Sequence, residues 1–158
     1  MCFIKNGVFA RYVPGMSLKA KNYHEMKIAL LYLLTAVVFF VVDLLWLGVL
    51  AKSFYNRHLG NLMAPSVNWK AAGLFYVCFI GGLLYFVIWP ALEADSLQKA
   101  LISGAVFGFI TYMTYEFTNW AMVRDWPGSI VGPDILWGIV LCFLVSGISF
   151  WLGKNWIY

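Results

Sequence analysis

Four stretches of this chain, residues 28–50, 71–92, 100–123 and 130–153, are apolar for long enough to cross a hydrocarbon core ~30 Å thick at ~1.5 Å per helical residue. Backbone groups in lipid must bond within their own structure, and none of the four stretches alternates polar and apolar residues as a barrel strand does. Each is therefore expected to be an α-helix. The expected fold is all-α: a polytopic membrane protein with four transmembrane helices in an antiparallel bundle. Composition agrees, because 63% hydrophobic and 11% charged residues lie far from the roughly half and quarter of a soluble domain. With 158 residues, four spans leave no length for a second globular domain.

Other classes are disfavoured by what accompanies the spans. The net charge of +4 is modest and lies at the ends and in one loop, which suits the headgroups of membrane lipids and not nucleic acid. Cys2, Cys78 and Cys142 are too widely spaced for a zinc motif or a secreted disulfide framework. Two histidines, His24 and His58, are too few for a histidine-rich di-iron centre. Neither a Gly-x-Ser-x-Gly elbow nor a glycine-rich nucleotide loop is present, so no cofactor is called for.

The first 26 residues lack an apolar core with a cleavage site, so no removable signal peptide is expected. Residues 1–25 are expected to form a loosely ordered tail ahead of a four-helix domain at 26–158, with Met26 an alternative start that would make the tail a start-site artefact. With the amino terminus inside, seven Lys and Arg residues fall on the inner side and four on the outer, which favours cytoplasmic termini.

Three spans contain an acid, Asp43, Glu116 and Asp134, with no basic residue in the same stretch. An ionised carboxylate facing lipid at mid-bilayer costs roughly 3 kcal/mol, so such residues face a protein interior or a water-filled cavity. Spans one and three run one way and span four runs back. The acids therefore share one half of the bilayer, about 12, 10 and 6 Å from the ends of their spans. This follows from the span count alone, whichever way the protein is inserted.

On the third span Tyr112, Tyr115, Glu116 and Asn119 recur on one helical face, which is expected to point inward. Thr111, Thr114 and Thr118 lie beside it and can bond their own helix or a neighbour. Gly104 and Gly108, and Gly81 and Gly82, are expected to serve close helix packing. Asp43-Leu44-Leu45-Trp46 and Asp134-Ile135-Leu136-Trp137 repeat one pattern, so Trp46 and Trp137 are expected to cover the acids or donate indole N–H bonds, the plain alternative being ordinary packing aromatics. After the first span, Tyr55, Leu59 and Leu62 mark the apolar face of a short interfacial helix. Arg57 and Arg124 lie in loops on the acid face, able either to swing in toward a carboxylate or to snorkel to headgroups. Asp134 follows Pro133 and is expected in the first turn of the last helix, where a carboxylate complements the dipole.

The runs Asp43 to Gly48, Thr111 to Asn119 and Asp134 to Gly138, with the Tyr55 loop and Phe86 to Pro90, resemble the bacterial membrane-protein family catalogued as domain of unknown function 2177. The resemblance covers residues 26–158. It implies a small multi-pass protein of the bacterial inner membrane with acids in matching positions, and brings no activity with it. Glu116 stands where aspartate is expected, which keeps the charge and lengthens the reach.

Three function classes stay open. The first is a site that binds or moves a proton, a cation or a small polar molecule, using Asp43, Glu116, Asn119, Asp134, Tyr112, Tyr115, Trp46 and Trp137. A bound cation would relieve the repulsion among the acids, and oxygen ligands would favour a hard metal ion over a soft one. A transport path through four helices would call for a homo-oligomer. The second class is a lipid-modifying enzyme with the carboxylates as acid, base or metal ligands. The third is a structural or assembly protein in which the acids fix helix register.

Overall fold

The structure, a computed structural model, describes residues 18–60 and 62–158. Helix α1 runs Leu18–Leu45 and continues as a π-helical turn over Trp46–Leu50. A short helix α2, Lys52–Leu59, follows. The second span is α3, Trp69–Leu83, a π turn at Leu84–Ile88, and α4, Trp89–Glu93. Helices α5, Leu97–Met122, and α6, Gly128–Trp156, complete the chain. Four of these rods are long and apolar enough to cross a membrane, as expected. Of the expected tail, residues 1–17 lie outside the described residues and residues 18–25 are helical.

Local chemistry accounts for several boundaries. Asn68 caps α3 by accepting from the Ala71 N–H, and Ser96 caps α5 by accepting from the Lys99 N–H. Pro90 has no N–H and its ring would clash with the carbonyl four residues back. The preceding turn widens instead, and Trp89 N–H bonds the Leu84 carbonyl. Asp95 and Asp125 adopt positive φ, 48° and 61°, in the turns before and after α5, where aspartate tolerates the left-handed region better than most residues. Asp95 also ion-pairs with Lys154 near the end of α6.

The core lies along the bundle axis, where Leu31, Phe39, Ile80, Leu83, Ile88, Leu141 and Val145 are buried. The closest helix pair is α5 with α6, and its glycines explain why. A Cβ on Gly108 would stand 2.1 Å from the Gly138 carbonyl oxygen, and one on Gly104 would stand 2.5 Å from Ser146 Oγ. Gly138 in turn receives the ring of Tyr112, whose Cγ would lie 2.2 Å from an added Cβ. Small residues thus let two backbones meet and set one tyrosine flat against the neighbouring helix. Gly82 similarly faces Phe107. The outward faces carry Leu33, Val37, Leu44, Leu74, Val77, Ile102 and Leu136, all exposed, as a lipid-facing surface requires.

Candidate functional site

Asp43, Glu116 and Asp134 are buried, at 5%, 1% and 9% exposure, and line one cavity of about 220 Å³. Each reaches it from a different long helix: α1, α5 and α6. Asp134 is close enough to both of the other acids to repel them. The described residues contain two ion pairs, Lys21 with Glu25 and Lys154 with Asp95, and neither involves these acids. Arg57 and Arg124 are exposed, so the inward swing allowed by their loop positions is not adopted.

An aromatic donor attends each carboxylate, and each donor comes from a different part of the chain. The Tyr55 hydroxyl of α2 donates to Asp134 Oδ1. The Tyr76 hydroxyl of α3 reaches Asp43 Oδ2 at 3.5 Å, a long bond. Trp126 Nε1, in the turn between α5 and α6, donates to Glu116 Oε2 at 3.1 Å. Burial and the adjacent Asp134 carboxylate push the Tyr55 phenol above its ordinary range. Tyr55 and Leu59 both line the cavity, so α2 closes the acid end of the bundle with the face expected to be apolar. Leu62 is exposed and takes no part.

Two aromatics form the inner side of the site. Trp46 and Trp137, the matching residues of the two Asp-x-x-Trp runs, stack with centroids 4.3 Å apart and planes 7° from parallel. The Trp137 indole lies beside Asp43 and that of Trp46 beside Tyr55, yet both Nε1 atoms are buried and meet no acceptor at hydrogen-bond geometry. Of the two, Trp137 is the one that approaches an acid, Asp43. Trp137 is 9% exposed and lines the cavity beside Asp43.

The third-span stripe is split by the structure. Glu116 is buried, Tyr112 is half-buried, and Tyr115 lines the cavity from its rim at 57% exposure. Asn119 is half-buried beside Tyr115 and does not line the cavity. Thr111 and Thr114 bond carbonyls of their own helix. One expectation is overturned: α6 begins at Gly128, two residues before the apolar run does, so Asp134 is its seventh residue. The dipole effect fades within the first turn, and capping does not explain this acid.

Tyr76 and Trp126 escaped the sequence reading. Tyr76 sits in the span without an acid, and Trp126 sits in a loop; the available signal was their place on the acid half of the chain. No three His, Cys, Asp or Glu side chains among the described residues are arranged to hold a metal ion.

A second space adjoins the chamber. It measures about 380 Å³, shares Phe75, Tyr112, Tyr115 and Asp134 with it, and adds Phe79 and Thr111. Its walls are α3 and α5.

The family described as "Predicted membrane protein (DUF2177)" matches residues 28–151, which include all three acids, Tyr55, Tyr76 and Trp126. No curated protein and no solved structure matches the chain.

Proposed function

We propose that this chain, which belongs to the DUF2177 family of predicted membrane proteins, binds a small organic cation in its acid chamber. The observation that carries the reading is the charge imbalance: three enclosed carboxylates share one cavity and, among the described residues, none is ion-paired. Enclosed charges of one sign repel strongly at low dielectric, and a cation or protons must offset them. Tyr55, Tyr76, Tyr112, Tyr115 and Trp137 around the same space favour an ammonium group over a metal ion. An aromatic face near a desolvated cation contributes ~0.5–2 kcal/mol, and aromatic cages are a recurrent answer to ammonium ligands. A cavity near 220 Å³ is below the usual ~300–1,000 Å³ of ligand pockets, which limits the enclosed part to a few heavy atoms. In the same reading the protein lies in the inner membrane with both termini cytoplasmic, as the basic residues favour.

Thermal unfolding of the purified protein with increasing ethylammonium tests this. Wild type should be stabilised with a saturating dependence, by about 2.7 kcal/mol at a hundred times Kd. Glu116→Gln and Asp43→Asn should lose most of that response while keeping their helical circular dichroism. An unresponsive wild type would sink the reading. So would variants that merely melt earlier with the response intact, the behaviour of a scaffold.

A further inference from the structure

We infer that the ligand is an amphiphile, a long-chain primary amine, that enters sideways from the bilayer with its head in the acid chamber and the start of its chain between α3 and α5; this rests on the cation reading above. The two helices pack together around the π turn at Leu84–Ile88 and α4, and Phe79 still touches Phe107 across the gap, with ring centroids 5.4 Å apart. From there toward Trp69 and Met122 they part, and the space of about 380 Å³ opens between Phe75 and Phe79 on one side and Thr111 and Tyr115 on the other. Phe75 and Tyr115 are 50% and 57% exposed, so the walls of this space reach the outer surface of the bundle. That surface is the one lipid covers.

The chemistry changes along the path. The outer part is framed by Phe75, Phe79 and the ring of Tyr112, and Thr111 spends its hydroxyl on the Phe107 carbonyl, so nothing there asks for a polar ligand. The inner part ends at Asp134, a residue common to both spaces. An apolar gap that leads from lipid to three carboxylates complements one kind of molecule: a chain with a cationic end. Trp137 suits the same head. Its indole lines the chamber beside Asp43 and adds an aromatic surface for a cationic head. Phosphate-bearing headgroups do not fit there, because three like charges line the chamber and no cation among the described residues lines it to hold an anion. The stretch from Phe75 to Phe79 spans only ~6 Å of helix, so the remainder of the chain stays in the surrounding lipid.

The test uses the full chain in nanodiscs of zwitterionic lipid and a primary alkylamine of about eighteen carbons bearing a photoreactive diazirine four carbons from the head, with adducts mapped by mass spectrometry. Adducts are expected on Phe75, Phe79 or Thr111. They should fall about tenfold in Glu116→Gln and also in wild type under excess ethanolamine, a competition that holds even if the variant folds poorly. If ethanolamine stabilises wild type but adducts scatter over the outward faces of α1 and α6, the lateral path is overturned and the cation chamber survives. Should ethanolamine neither stabilise the protein nor compete, with labelling unchanged in Glu116→Gln, both readings fall.

Discussion

Glu116 is the most enclosed of the three acids, and Trp126 is its hydrogen-bond donor. Trp126→Phe keeps a ring against Tyr115, whose centroid lies 5.9 Å away, while leaving a buried carboxylate oxygen without a partner. The expected loss is about 1–3 kcal/mol, read as a lower unfolding midpoint in detergent. Tyr55 gives a pH-dependent counterpart. Its phenol is raised in the folded protein by burial and by Asp134, so its contribution is complete below about pH 10, the unfolded value, and fades as pH climbs toward the folded one. Wild type should therefore lose midpoint above about pH 10 more steeply than Tyr55→Phe, measured by thermal melts across the alkaline range.

At the scale of elements, the α5 and α6 contact is the least forgiving feature. Gly108→Ala would drive a Cβ to 2.1 Å from a backbone carbonyl that cannot step aside, at a cost of about 1–3 kcal/mol. Gly73→Ala on α3 meets nothing within 4 Å and should be neutral or gain ~0.5–1 kcal/mol. Comparing the two midpoints separates steric fit from helix propensity. The four spans and the convergence of the acids were readable from apolar run lengths, because lipid permits few backbone solutions and alternating directions do the rest. What was not readable depends on geometry without periodicity. The π turn at Trp46–Leu50 carries no proline to announce it, and the one at Leu84–Ile88 reflects a clash that the composition of an apolar run conceals. Tyr76 looked like one more aromatic on an apolar helix, since nothing in α3 itself says which neighbour will present an acid. Asp134 was assigned to a first turn because Pro133 resembles a helix start, whereas two turns of α6 absorb that proline.

For the whole molecule, the balance of charge in the acid half is the quantity to perturb. Leu59 lines the chamber from α2, outside the long spans, and Leu59→Lys would bring an ammonium on a flexible stem to the same carboxylates. The variant should unfold no earlier than wild type without ligand and should no longer respond to ethylammonium, a result obtained by repeating the titration on both proteins. The chamber also divides its partners: Tyr55, Tyr76 and Trp126 belong to α2, α3 and the loop before α6, and each of these three donors serves one acid. An arriving molecule can then exchange places with one aromatic at a time, the other two holding their positions meanwhile. On the proposed reading, loading then proceeds in small successive increments, and exchange with the surroundings should be rapid even where occupancy at equilibrium is high.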